Sequence, residues 1–173
     1  MLARHILRGA LLFAGCQLLL LFLRIMPLSV GQTGWPGPNL GLCLILAWVL
    51  RRPAQVPAVL IVAVVLIEDI LLLRPLGLWT VIVLFGSEAA RQREARWREQ
   101  PFMIEWLRVA ILMGAMMLGY RILQILFLLP VSVLGQVVMQ YLATVAAYPL
   151  VVLAARFLLG LRRVGAADTE MVR

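Results

Sequence analysis

Few residues in this chain have side chains that can do chemistry, and most of those few lie inside apolar runs. Glu68 and Asp69 stand side by side within the apolar stretch 57–90. Ionisable groups at such depth are expensive in hydrocarbon, so the pair is a functional candidate by default. Adjacent helical residues point about 100° apart, so the two carboxylates cannot face one partner together. Two readings follow. One is a proton or cation site. The other is a pair of structural carboxylates that meet an arginine, stay protonated or cap a neighbouring helix. The cost of an unpaired buried charge favours the structural reading. Arg121 lies inside the run 104–128, with Gln124 three residues on and on the same face. It is a natural partner for Glu68 or Asp69, and an Arg121–carboxylate contact is expected. Gln136, Gln140 and Thr144 recur every four residues and make a polar stripe on one helix face. That stripe is a solute pathway, a docking face or interhelical hydrogen-bond glue. Glue, at about 0.6 kcal/mol per bond, is the plainest of the three.

Catalytic and metal chemistry lacks its parts. His5 is the only histidine. Cys16 and Cys43 sit in apolar runs without metal-ligand neighbours and read as small buried apolar residues. There is no GxxxxGK[ST] phosphate loop, GxSxG elbow, HExxH or CxxC. Neither an enzyme nor a metal or cofactor protein is expected.

Composition tells where these residues work. Of 173 residues, 64% are hydrophobic and 14% charged. A soluble domain is about half apolar and a quarter charged, so a water-soluble globular enzyme is excluded, and so is disorder. The net charge is +8, and all 16 basic residues are arginine. They fall in short clusters between apolar runs. That placement orients a membrane protein and does not grip nucleic acid.

A helix needs about 20 residues to cross the hydrocarbon core. The expected spans are 6–26, 39–50, 57–73, 76–90, 104–128 and 131–159. The first follows Arg4 and Arg8, resembles a signal peptide, lacks a small-x-small cleavage site and reads as an uncleaved span. Pro27, Gly31, Gly34, Pro36, Gly37 and Pro38 then forbid helix. The second span is short: its length of about 18 Å falls below a core of roughly 30 Å. The segment 28–38 is therefore expected to be packed chain that completes the crossing. Arg74-Pro75 divides 57–90 into a hairpin of two short spans, the alternative being one long kinked span.

Arginine placement decides the parity. With six spans, the Arg-bearing segments 4–8, 51–52, 91–98 and 162–173 share one side. With five, Arg91, Arg93, Arg96 and Arg98 lie opposite Arg51 and Arg52. The positive-inside rule prefers six. The expected fold is an all-α membrane protein, a compact bundle of six transmembrane helices with both termini cytoplasmic. A basic cytoplasmic loop at 91–103 and a cytoplasmic tail at 162–173 complete it. Trp97 and Trp106 suit the inner membrane interface, and Trp35 and Trp79 the outer. Arg91, Arg93, Arg96 and Arg98 meet the cytoskeletal side or anionic lipid, and lipid alone accounts for them at about 1 kcal/mol per arginine.

One stretch resembles a known family. Pro38-Asn39-Leu40 opens it, followed by an apolar run with Trp48, then Arg51-Arg52-Pro53, then Asp69, with Gly77 of Leu76-Gly77 eight residues further on. Near the end come Tyr148-Pro149 and Arg156. This ordered set resembles the MreD family of bacterial rod shape-determining membrane proteins. Ile67-Glu68 departs from it, since the family often has a small or apolar residue before the aspartate. The resemblance implies a scaffold in the bacterial inner membrane within the cell-elongation complex. Its partners would be an MreC-like bitopic protein and, through it, MreB filaments and the peptidoglycan transglycosylase and transpeptidase. The family fold has been likened to substrate-binding subunits of energy-coupling-factor vitamin transporters. A small-molecule transporter subunit is therefore the alternative, and it needs a polar cavity lined by residues such as Gln136, Gln140 and Arg121. The residues expected to bind the partner or hold the structure are Pro38, Asn39, Trp48, Asp69, Gly77, Arg121, Gln136, Gln140 and Pro149. Asn39 would cap the second helix. Gly77 would allow close backbone approach at the hairpin. Pro149 would kink the last helix and free a carbonyl near the partner face.

Overall fold

The computed structural model describes residues 2–26, 37–98 and 101–158. The packing expected for 28–38 falls mostly outside them, as does the tail 162–173. Among the described residues the chain is helical, with no strand. Its elements are α1 (Leu2–Ile25), α2 (Leu40–Arg51), a 3-10 turn (Pro53–Gln55), α3 (Ala58–Leu71), α4 (Leu78–Arg98), α5 (Phe102–Leu126) and α6 (Leu134–Leu158). Among these residues, three stretches are long and apolar enough to cross a membrane: Ile6–Ile25, Phe102–Leu126 and Leu134–Phe157. All three helices carry large apolar side chains on the outside, among them Leu11, Phe22, Ile111, Leu118, Leu150 and Phe157. Helices that are apolar on every face belong in a core or in lipid, and a helix satisfies its own backbone there.

The second helix is the hub. Every residue from Leu42 to Arg51 is buried. α2 packs against α1, α4 and α6, while α3 lies on α4 and α1, and α5 bridges α4 and α6. Trp48, 1% exposed, meets the Phe13 ring edge-on at 5.4 Å and anchors α1 to this core. Burying an aromatic of that size contributes more than any polar contact nearby.

The ends of α2 are set by named groups. At its start the Asn39 side-chain oxygen accepts from the Leu42 N–H at 3.2 Å, which is the expected N-cap. The Asn39 N–H itself donates to Thr144 Oγ1 at 3.0 Å, so α6 closes the cap from outside. At its finish Arg52 leaves helical geometry (φ −143°) because Pro53 follows it.

Successive helices run in opposite directions, which gives the bundle two chemically different ends. At the distal end α1, α3 and α5 finish and α2, α4 and α6 begin. At the proximal end lie Arg51, Glu105 and the arginine-rich end of α4. Both distal hairpins use one device. Leu73 and Leu128 adopt left-handed φ of 52° and 54°. The N–H groups of Arg74 and Leu129 return to the carbonyls of Asp69 and Gln124, each at 2.9 Å. This six-to-one closure satisfies orphan carbonyls at a helix end, and a proline follows each time.

One expectation is corrected here. The stretch read as a basic loop is helix as far as Arg98, and α5 starts at Phe102. Charge suggested a loop, but Glu88 to Ala95 are mostly strong helix formers with no glycine or proline among them. Trp79 does not stand on the outer surface of the bundle. It is 4% exposed and stands edge-on to Tyr120 at 5.3 Å. Trp35 and the side chain of Trp97 lie outside the described residues.

Thr144→Val keeps the shape of the side chain and strands the buried Asn39 N–H. It is expected to cost about 1–3 kcal/mol in unfolding measurements in detergent, while Thr144→Ser retains most of the stability.

Candidate functional site

The adjacent carboxylates divide their work as helical geometry dictates. Asp69, fully buried, turns toward α4, where its Oδ2 accepts from the Thr80 N–H at 3.2 Å and the Thr80 hydroxyl at 2.8 Å. It caps the first turn of α4 from the neighbouring helix, which also suits the positive end of the helix dipole. Glu68 turns toward α1 and shares its Oε1 between Arg24 at 2.9 Å and Arg74 at 3.5 Å. The structural reading of the pair therefore describes both residues: one caps a helix and one pairs with arginine.

The expected Arg121–carboxylate contact is not formed. Arg121 Nη1 donates to the Ser132 carbonyl at 2.8 Å, across the α5–α6 turn. Glu68 and Asp69 already have partners on other faces, and the turn brings a carbonyl closer than either carboxylate. Arg74 lies over the Trp79 ring at 5.7 Å, so its guanidinium sits between an anion and an aromatic face.

Among the described residues, a larger and a smaller cavity open at the distal end. The larger, of about 500 Å³, is lined by Gln17, Arg24, Glu68 and Gln140 on its polar side and by Leu20 and Leu23 of α1 on its apolar side. The smaller, of about 260 Å³, is lined by Arg74, Trp79, Tyr120, Arg121, Gln124 and Gln140. Asn39 and Gln140 line both. Pro38 lines the larger one.

The proximal end holds a cluster that sequence reading missed. Arg51, 6% exposed, donates to Glu105 Oε1 at 3.1 Å and to the Ala47 carbonyl at 3.1 Å. The Tyr148 hydroxyl donates to the same Glu105 oxygen at 3.0 Å. These bonds tie α2, α5 and α6 together. A buried pair is worth keeping only when further hydrogen bonds satisfy it, as they do here. The one available signal was depth: Arg51 ends its helix and Glu105 sits in the first turn of its own. Nearby, Arg91 is drawn inward. It donates to the Val56 carbonyl at 2.6 Å and pairs with Glu88 at 3.4 Å. Arg93 is exposed. Arg96 and Arg98 lie in the last turns of α4, with side chains outside the described residues.

The remaining sequence candidates fall into distinct roles. Trp48 Nε1 donates to Gln55 Oε1 at 3.2 Å in the core. Gly77 does not serve close approach, because a side chain there would meet nothing within 4 Å. Its φ of +81° is what requires glycine. The polar stripe of α6 splits: Thr144 is buried against α2, Gln140 reaches the Gly37 carbonyl at 3.5 Å, and Gln136 is exposed. Pro149 lies inside α6, as expected, and removes the N–H that would bond the Val145 carbonyl. That carbonyl does not wait for a partner protein: Trp106 Nε1 of α5 donates to it at 3.0 Å. Trp106 is thus a lock between α5 and α6.

Together these contacts define, over the described residues, an all-helical protein with three helices long and apolar enough to cross a membrane and with interior polar groups that join helix to helix. Among the described residues no three histidine, cysteine or acidic side chains cluster as metal ligands. Comparison with models of known families, with curated proteins and with solved structures finds no match for this chain.

The Trp106–Val145 lock predicts a coupling. Trp106→Phe leaves the carbonyl unpaired and is expected to cost about 1–3 kcal/mol in unfolding measurements. In a Pro149→Ala background residue 149 regains an N–H for that carbonyl, so the same change costs less. Equal costs in both backgrounds would remove the lock from the account.

Proposed function

We propose that this chain is a non-enzymatic membrane scaffold of the MreD type. It crosses the bacterial inner membrane six times, with both termini and the arginine-rich end of α4 in the cytoplasm. It binds the membrane helix and juxtamembrane part of an MreC-like bitopic protein, and through it helps couple MreB-like filaments to the peptidoglycan synthases of cell elongation. Association follows from helix packing helped by polar bonds. Arg93, Arg96 and Arg98 meet anionic lipid at the cytoplasmic face.

One observation carries this reading. The residues on which the family resemblance rests stand at joints of the bundle. Asn39 caps α2 and meets α6. Trp48 fills the centre and Asp69 holds the start of α4. Gly77 makes the α3–α4 turn, and Pro149 opens a carbonyl for α5. A chain in which Asn39, Trp48, Asp69, Gly77 and Pro149 stand at such joints is built to present a rigid surface.

A second reading, a small-molecule transporter subunit, draws on the cavity lined by Arg121 and Gln140. Gln136, also expected to line such a path, stands outside on α6. Purification of the tagged chain from native membranes separates the two. The scaffold reading expects a bitopic protein with a periplasmic coiled coil, and it expects depletion to round the cells. Recovery of ATPase subunits, with cell shape unchanged on depletion, would replace it with the transporter reading.

A further inference from the structure

Three arginines gather at the distal end, the end opposite Arg51, Arg52 and Arg91. Membrane orientation asks for arginine on one side only, so Arg24, Arg74 and Arg121 are not explained by it. Nor are they neutralised. Arg24 and Arg74 share a single carboxylate oxygen, Glu68 Oε1. The other carboxylate nearby, Asp69, is fully buried and bonded to Thr80. Arg121 uses one N–H on the Ser132 carbonyl, out of five that a guanidinium carries.

The smaller cavity concentrates this surplus. Arg74 and Arg121 both line it, with the amides of Gln124 and Gln140 and with Tyr120, and no carboxylate lines it. Two forked cations and neutral donors around one space make an anion site. A phosphate has enough oxygens to engage both forks at once, and guanidinium geometry matches it bidentately. Through Asn39 and Gln140 this space adjoins the larger cavity, where α1 contributes Leu20, Leu21 and Leu23 beside Gln17 and Arg24. The outer side of that helix is apolar over a length suited to crossing a membrane. A polar, cationic chamber beside an apolar helix fits an amphiphile with its head inside and its chain along the helix.

We propose that the paired distal cavities bind a phosphate-bearing anion, held between Arg74 and Arg121, with the headgroup of an anionic lipid as the source that the α1 leucines favour. The assignment rests on the cavities and not on the scaffold reading, and the experiment below is indifferent to any partner protein.

The full chain in detergent is delipidated and offered dioleoyl phosphatidylglycerol, dioleoyl phosphatidylcholine or glycerol phosphate, and binding is read by native mass spectrometry and by thermal unfolding. The expected result is retention of phosphatidylglycerol about tenfold above phosphatidylcholine, reduced about fivefold or more in Arg74→Gln and in Arg121→Gln. Arg156→Gln, exposed near the other end on α6, leaves it unchanged. Binding of glycerol phosphate with the same arginine dependence assigns the site to soluble phosphate esters; binding of the lipid alone assigns it to the headgroup. Should a glutamine variant fail to fold, the wild-type chain still decides, because inorganic sulfate in excess must displace the phosphate probe. Equal retention of the two lipids with no response to glycerol phosphate, or binding that persists unchanged in folded Arg74→Gln and Arg121→Gln, overturns the proposal.

Discussion

A twelve-residue helix buried from its third residue to its last is the constraint on which this molecule turns. Such a helix extends about 18 Å and has no side that faces water or lipid, so every group at its two ends must find a partner inside the chain. At the start that demand is met by the Asn39 side chain and by Thr144. Along the first turn, Gln17 of α1 donates to the Gly41 carbonyl at 2.9 Å. At the finish, Arg51 is held by Glu105, which Tyr148 also serves. The polar residues of α1, α5 and α6 that look out of place in apolar helices are largely answers to this one short element. Apolar packing around Trp48 supplies the bulk of the burial. The polar bonds select which arrangement of helices is allowed, since the wrong neighbour would strand a buried donor.

At the distal end, α3 joins α4 and α5 joins α6 through turns of the same build. Leucine in a left-handed conformation costs on the order of 1–2 kcal/mol, yet α3 and α5 both end that way. The return hydrogen bonds and the proline that follows offset the strain. Asp69 then starts the next helix before the chain has turned fully. Pro149 shows the same economy within α6: the hydrogen bond it removes is replaced by one from α5. Each departure from regular helix is thus converted into a contact between helices, and this is the physical content of a rigid bundle.

Helix positions were legible because they depend on local signals. Apolar run length and the placement of proline and glycine mark the starts and stops closely, and the Asn39 cap follows from its side chain alone. Pairings were less legible. Glu68 meets Arg24 across 44 positions, and Arg51 meets Glu105 across 54, with no periodicity to announce either. The 100° offset between Glu68 and Asp69 implied different partners without naming them. The arginine run after Ala90 was read by its charge as a loop, although its helix propensity argued otherwise. Tryptophan type was equally silent about contacts. Trp79 and Trp106 suited a membrane interface by type, while in the fold one packs on Tyr120 and the other serves a carbonyl. Arg121 was expected to seek a carboxylate because nothing local showed that a turn would offer Ser132 first.

The platform account needs the two ends of the bundle to lie on opposite sides of one membrane. Labelling of single cysteines with a membrane-impermeant maleimide tests this most directly, in a chain with Cys16→Ala and Cys43→Ala. Leu73 and Leu128 are each 94% exposed at distal turns, and Arg93 is exposed on proximal α4. The account predicts that Leu73→Cys and Leu128→Cys react in spheroplasts with an intact inner membrane, and that Arg93→Cys reacts only after that membrane is opened. Reaction of Leu73→Cys and Arg93→Cys from the same side would contradict it.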